Sequence, residues 1–488
     1  MRQRSPLLAA ASLTVLAAFS GAAMAQEQTD NEAPSPEQDA EDSVRKLTQV
    51  TVTAVKREQN LQDVPVSVTA FTADLRQELA LDNLSDFARF TPSLAYSAGD
   101  DRVFIRGVGR QTNTNGSDPG VATYSDGIYD ASTRAVSKSD FFVERVEVLR
   151  GPQGTLYGRN SIGGAINVIS KRPTDTLTTE ARLEAANYDT VTAEAAVSGP
   201  ITDKVRAKLG LFYANQDEGY FENVAGGPDE AGAQQSSYLE LQLEADLADN
   251  FSVWLRADTA QSDLLNRTTN LAGPYDVSPF PTGYLTPGAA FGYSQANLFL
   301  AGDATTNPGA RDIRKFNVDT TTRSSLDDDY GISAIATWNL DNIDIKYLGG
   351  YRTYFYNSFR DDDSTNVLSY SFPLDAPNPA AGEVFTGGPN CQFLRVVLGP
   401  VCTPATVFPQ RTFDYTEDKE FWSHELTAQS SGDGDFWWIV GAYMYDENFL
   451  QESHFGNAAQ PQILAPVGGP ANPSGDYVTA ISDISTKS

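Results

Sequence analysis

Tyr238-Leu239-Glu240-Leu241-Gln242-Leu243-Glu244-Ala245-Asp246-Leu247 alternates strictly, with Leu239, Leu241, Leu243 and Ala245 on one side and Glu240, Gln242, Glu244 and Asp246 on the other. Successive side chains of an extended backbone point to opposite faces, so this run predicts a strand with one apolar and one polar face. The pattern returns at once, with Phe251, Val253, Leu255 and Ala257 set against Ser252, Trp254, Arg256 and Asp258. Earlier, Ala181, Leu183 and Ala185 alternate with Glu180, Arg182 and Glu184. Strands of about ten residues with this dyad suit a membrane barrel, apolar outside and polar in the lumen. A soluble β-sandwich alternates too, but its strands usually run to about 5 or 6 residues. The links favour the barrel: 247–250 and 340–342 are short, while 262–325 and 357–418 are long and rich in Gly, Pro and Asn. Trp338, Tyr347, Tyr351, Trp437 and Trp438 lie near strand ends, where an interfacial girdle or a place in the core would suit them equally.

The N-terminus points to export. Arg2 and Arg4 precede an apolar run from Leu7 to Phe19, followed by Ala23-Met24-Ala25. This is the pattern of a secretory signal over 1–25, and the run is shorter than the roughly 20 apolar residues of a spanning helix. Residues 26–47 are rich in Glu, Asp, Pro, Gln and Ala and read as a disordered periplasmic tether, because so little apolar surface cannot offset the entropy of folding. No later stretch is apolar for long enough to cross a bilayer as a helix, and the mean hydropathy is -0.34. An alternating barrel strand hides its apolar face from such an average. The formal net charge of -29, from 64 acidic and 35 basic residues, argues against nucleic acid as a partner, since phosphates need Lys and Arg to neutralise them. Cys391 and Cys402, with ten residues between them, are the only cysteines, and His424 and His454 the only histidines. In an oxidising compartment a disulfide is expected, with two free thiols or a metal site as the alternatives.

Between tether and barrel, residues 55–175 read as a compact mixed α/β unit. Strands are predicted at 66–71, 103–106, 121–125, 143–150 and 165–170, and helices at 73–81 and 84–90, with glycines clustered in the turns. The segment Thr48-Gln49-Val50-Thr51-Val52-Thr53-Ala54 before it is β-prone, and by composition alone could be an ordinary edge strand.

The segment from Leu149 to Ile169, which contains Leu149-Arg150-Gly151-Pro152-Gln153-Gly154-Thr155-Leu156-Tyr157-Gly158-Arg159-Asn160 and Gly163-Gly164-Ala165-Ile166-Asn167-Val168, resembles the plug signature of TonB-dependent outer-membrane receptors. Phe104-Ile105-Arg106-Gly107-Val108-Gly109 and Tyr124-Ser125-Asp126-Gly127-Ile128-Tyr129 agree with it in order and spacing. The resemblance implies an antiparallel membrane β-barrel with an N-terminal mixed α/β plug domain in its lumen, and makes 48–54 a TonB box and 176–488 the N-terminal part of the barrel. Family barrels have about 22 strands, of which roughly nine or ten are read here. With no closing strand and an end at Thr486-Lys487-Ser488, a fragment or truncated gene product is expected.

The implied function is active uptake of a scarce ligand, driven by TonB with ExbB and ExbD. A ferric siderophore or other iron chelate is the expected cargo, and oligosaccharides or cobalamin the alternatives. On the same resemblance Arg106, Glu147 and Arg150 would latch the plug to acidic residues of the wall. Glu425 is a candidate partner on an alternating strand, or else a plain lumen-facing carboxylate. Plug loops carrying Arg110, Gln111, Asn113, Asn115 and Tyr129 would meet the ligand. Signal transduction through an added N-terminal domain is not expected, because residues 26–47 are too few and too polar to fold. A passive porin would lack the plug. No Gly-x-Ser-x-Gly or metal-ligand spacing supports an enzyme, and no cofactor is expected. The runs Asp327-Asp328-Asp329 and Asp361-Asp362-Asp363 read as solvated loop charge, with a cation site as the lesser reading.

Overall fold

The structure is a computed structural model. It describes residues 50–54, 56–57, 59–81, 83–97, 102–109, 119–130, 138–223, 231–265, 314–316, 318, 320–361, 370–372, 405–407, 412–431, 436–456 and 476–487. The expected signal, the tether, Thr48, Gln49, Cys391 and Cys402 lie outside these residues.

The plug opens with β1 (Val68–Thr72), α1 (Ala73–Leu79) and α2 (Leu84–Phe90). Both helices start on side-chain caps: Thr72 accepts from the Leu75 N–H, and Asn83 forms a capping box with Asp86. A small antiparallel sheet follows, made of β2 (Leu94–Ser97), β3 (Arg102–Ile105) and β4 (Val108–Gly109). Next come β5 (Val121–Ser125), β6 (Ile128–Asp130), β7 (Val143–Arg150), the single turn α3 (Gly154–Tyr157) and β8 (Gly164–Ser170). The main plug sheet has the order β1-β7-β8-β5-β6, with β8 parallel to β5 and the other pairs antiparallel. β5 and β6 are joined by Asp126 (φ 55) and Gly127 (φ 82), the two left-handed residues that a tight hairpin turn of matching twist requires.

The wall is one ten-stranded antiparallel sheet in chain order: β9 (Thr178–Ala186), β10 (Thr190–Thr202), β11 (Val205–Gln216), β12 (Gln234–Ala248), β13 (Phe251–Leu265), β14 (Arg323–Asn339), β15 (Ile343–Asp361), β16 (Thr412–Ser430), β17 (Ile439–Gly456) and β18 (Asp476–Lys487). Leu183, Leu239, Leu241, Leu243, Leu255, Ile332, Trp422, Leu426, Val440 and Met444 lie exposed on its outer face. Glu240, Gln242, Trp254, Arg256 and Asp258 are buried on the inner face against the plug. The alternation read from the sequence is therefore the division between lipid side and lumen. Trp338 and Trp437 are exposed, and Tyr351 packs on Trp422 at 4.3 Å between ring centroids on the outer face, which places these aromatics on the barrel surface and out of the core.

Several strands run to 17–19 residues, longer than the sequence suggested. Their polar ends look like loop in composition, yet the backbone stays paired beyond the apolar band. The Asp327–Asp329 run, expected in a loop, sits inside β14 at an irregularity in register, and Asp329 is buried against Arg352 at 2.8 Å. Plug and wall share one apolar cluster, in which Phe71, Leu84, Phe87, Ile105, Val146 and Ile166 join Tyr238 of β12. Two wall glycines permit this approach. A Cβ on Gly210 would stand 2.3 Å from the Phe142 ring, and one on Gly350 would stand 2.6 Å from Ile128 Cγ2.

Candidate functional site

The segment before the plug is docked. Val52 and Ala54 are fully buried. Between them the Thr53 N–H donates to Glu147 Oε1 at 2.9 Å, and the Thr53 hydroxyl donates to Glu147 Oε2 at 3.0 Å. The Thr53 carbonyl accepts from the Tyr157 hydroxyl at 3.1 Å, and from the Lys56 N–H at 2.9 Å across a turn in which Lys56 has φ 62. Asn167 Nδ2 donates to Thr53 Oγ1 at 3.2 Å. Lys56 then leaves the plug for the wall, where its Nζ lies 2.9 Å from both oxygens of Glu425 on β16. The ammonium also faces the rings of Tyr157 and Tyr124 at 5.3 and 5.9 Å.

This geometry redistributes the latch read from the sequence. Glu147 is wholly buried in β7, and its charged partner is Arg145 two residues away, at 2.8 Å, so it serves Thr53 and the plug's own strand. Arg150 donates to the Pro92 carbonyl at 3.4 Å. Arg106, at φ 53, sits in a turn with its N–H on the Ser93 carbonyl and its guanidinium beside Gly151. Among the described residues neither arginine forms an ion pair with the wall. Glu425 does stand on the wall, and the cation it receives is Lys56, which lies just beyond the segment and which the sequence reading passed over.

Besides the Glu425 pair, basic residues at lumen-facing positions of alternate wall strands also reach across to the plug. Arg182 on β9 binds Asp140 at 2.6 Å. Lys208 on β11 donates to the carbonyls of Phe141 (2.9 Å) and Lys171 (3.3 Å). Arg256 on β13 reaches Asp126 at 2.8 Å, the Ser170 hydroxyl at 2.7 Å and the Ser125 hydroxyl at 3.0 Å. Burial alone would raise the Asp126 carboxyl, but Arg256, then Arg172 and the Ser170 hydrogen bonds, hold it below its ordinary value. Where plug meets barrel, Arg172 lies over the Trp254 ring at 3.7 Å and Gln242 donates to the Lys171 carbonyl at 3.1 Å, which fixes the junction to the wall. The period-2 pattern already placed Arg182 and Arg256 on the lumen side. Their partners depend on which plug turn stands opposite, and no spacing encodes that.

Of the expected ligand contacts, Arg110, Gln111, Asn113 and Asn115 lie outside the described residues. Tyr129 is buried in the seam between plug and wall: its hydroxyl accepts from Asn160 at 2.8 Å and its ring meets Tyr445 of β17 edge-on at 5.3 Å. Further along the lumen face, Tyr354, Tyr415 and Gln451 surround Glu417 in a hydrogen-bonded group. No group of three or more His, Cys, Asp or Glu suited to a metal ion occurs among the described residues.

Comparison with known proteins agrees with the plug-and-wall fold. Residues 60–165 match the family model described as the TonB-dependent Receptor Plug Domain. The ferric-pyoverdine 358 receptor of Pseudomonas putida is 32% identical over 178 residues, covering 36% of this chain and 21% of the relative. The pesticin receptor of Yersinia pestis is 29% identical over 182 residues, covering 36% and 27%. Among solved structures, the ferric yersiniabactin uptake receptor of Yersinia pestis superposes with a TM-score of 0.55 at 18% identity, over 81% of this chain and 50% of that one. The chain thus spans about a quarter of the curated relatives' length and half of the solved receptor.

Proposed function

We propose that this chain, which belongs to the TonB-dependent receptors, works in the Gram-negative outer membrane as part of a gated importer whose cargo is a ferric siderophore. The observation that carries the reading is the docked segment. A strand-prone stretch at the plug's N-terminal side is held by Glu147 from the plug and, through Lys56, by Glu425 from the wall. A partner that pulls on it acts on plug and barrel together. In this reading Thr48 to Ala54 pair with TonB, which ExbB and ExbD energise, and the plug-side segments Arg110 to Asn115 meet the cargo. The named relatives support the cargo class: one is called a ferric-pyoverdine receptor and another a ferric yersiniabactin uptake receptor. Domain limits follow the same reading, with the plug over 55–175 and the wall from 176 onward.

Addition of a strand to a partner's sheet edge rests on main-chain hydrogen bonds. Proline removes one donor and fixes φ, so Val52→Pro abolishes energy-dependent uptake of iron-loaded siderophore and leaves its binding to whole cells intact. Val52→Ala keeps the N–H and retains uptake. A Val52→Pro protein that transports at the normal rate refutes the assignment of the segment. A deletion strain that takes up iron chelates normally but loses an oligosaccharide refutes the cargo class.

A further inference from the structure

One wall carboxylate, Asp258 on β13, gathers three cations from three elements. Arg256 Nε of its own strand lies at 3.2 Å, Arg352 Nη1 of β15 at 3.1 Å and Lys138 Nζ of the plug at 3.9 Å. Its side chain is completely withdrawn from solvent. Lys138 is tied elsewhere too: its ammonium donates to the Tyr238 hydroxyl at 2.8 Å, and its carbonyl accepts from Arg76 of α1 at 2.6 Å. Tyr238 lies near the long-link end of β12, so Lys138 sits toward that rim, while the Lys56–Glu425 pair sits toward the other.

Arg256 stands between two carboxylates, Asp258 of the wall and Asp126 of the plug. From Asp126 the contacts continue inside the plug. Asp126 Oδ1 accepts from the Ser170 N–H at 2.9 Å, and the next residue of the turn, Gly127, donates its N–H to Asn167 Oδ1 at 3.1 Å. Asn167 in turn holds the Thr53 hydroxyl. A contiguous polar path therefore leaves the plug at Lys138, runs through the wall at Asp258 and Arg256, re-enters at Asp126 and ends on the docked segment.

We propose that Asp258 is a positioning residue that couples the seat of Lys138 to the hold on Thr53, by competing with Asp126 for Arg256. Buried charges tolerate few arrangements, because a carboxylate left short of cations is strongly destabilised in a low-dielectric site. When Lys138 withdraws, Asp258 draws Arg256 toward itself. Asp126 then loses its counter-ion, and the turn that positions Asn167 loosens its grip on Thr53. The mechanism rests on the reading of Thr48 to Ala54 as the partner-binding segment, but its test reads the segment's release and not transport.

The experiment is limited trypsin digestion of the protein in outer-membrane fragments. Cleavage after Lys56 and Arg57 reports release, and cleavage after Arg89, whose side chain is 75% exposed, serves as the internal reference. Competition predicts effects of opposite sign. Lys138→Met speeds cleavage after Lys56 and Arg57 about tenfold, whereas Asp258→Asn, which leaves Arg256 to Asp126, slows it about threefold. Cleavage after Arg89 stays constant in both. A purely structural role would loosen the plug in both variants, so faster cleavage in both, or a parallel rise after Arg89, overturns the proposal. Should Asp258→Asn fail to insert, as judged by the absence of a heat-modifiable band, Lys138→Met decides alone, and an unchanged rate overturns it. Failure of the functional reading would appear instead as normal transport by Val52→Pro.

Discussion

Arg256→Met removes the guanidinium that joins wall to plug and keeps most of the side-chain volume. In the native protein the arginine side chain is 3% exposed and that of Asp126 1%, so solvent screens the pair very little. Arg256 also donates to the hydroxyls of Ser170, Ser125 and Ser333. Asp258 keeps Lys138 and Arg352 after the substitution, whereas Asp126 keeps the Ser170 hydrogen bonds and, as its cation, only the more distant Arg172. Breaking a buried pair from one side costs about 3–5 kcal/mol, and the residual help of Arg172 puts this case near 3 kcal/mol. That is about a hundredfold in the docking equilibrium of the plug. With a urea dependence of about 1–3 kcal/mol per molar, the midpoint for plug release falls by roughly 1–3 M. Trp254 packs against Arg172 at the junction, so tryptophan fluorescence during urea titration in micelles includes a reporter of the event. The double variant Arg256→Met with Asp126→Asn removes the orphaned charge and recovers most of the loss, to within about 1–2 kcal/mol of the native protein. A single variant with an unchanged midpoint, or a double variant at least as unstable as the single, would refute the claim that this pair is what the wall contributes there.

The close approaches at the glycines give a second test: Gly210→Ala and Gly350→Ala each force a Cβ into the plug, and each lowers the same midpoint by an amount equivalent to about 1–3 kcal/mol, with Phe142→Leu relieving the former. Acid gives a third. The folded Asp126 carboxyl lies below its ordinary value of 3.8, so its contribution is complete above that value and is lost as the pH falls through the folded one. Urea midpoints measured down from pH 6 therefore decline below about pH 4 in the native protein and more shallowly in Asp126→Asn. Finally, Cys391 and Cys402 are expected to be joined in protein exported by its native route, and two alkylatable thiols in unreduced peptide mass spectra would contradict this.

The wall was legible because a barrel strand writes its two environments into every second residue, and Leu239 to Asp246 obey that rule without exception. Strand ends were not, since residues such as Asp327 and Asp361 carry loop-like chemistry while the backbone remains in the ladder. The strand glycines Gly210 and Gly350 held a usable signal, because glycine inside a strand marks a close approach. Cross-element pairing stayed hidden. Asp126 and Arg256 are far apart in the chain, and what brings them together is the height at which the plug hairpin sits in the lumen. That height follows from the whole wall. For the same reason the spacing of the motif arginines Arg106 and Arg150 does not reveal that the wall carboxylate Glu425 pairs with Lys56.

The docked segment suggests why release and capture can be one event. Strand addition needs free main-chain donors and acceptors along an edge. In the docked state the Thr53 N–H is taken by Glu147 and its carbonyl by Tyr157 and the Lys56 N–H. A partner strand that pairs with this residue must take over those groups, so docking and capture exclude each other at Thr53. The contacts to be surrendered are few. A hydrogen bond to a charged group contributes about 1.5–3 kcal/mol and a neutral one about 1 kcal/mol, so the local hold is a few kcal/mol, together with the burial of Val52 and Ala54. A barrier of that size keeps the segment in place at rest, yet it lies within reach of the main-chain bonds that a new strand supplies. The Lys56–Glu425 pair adds direction, because it ties this segment to the wall. If a partner captures this segment as proposed, tension on it meets the plug's own carboxylate first and the barrel's next.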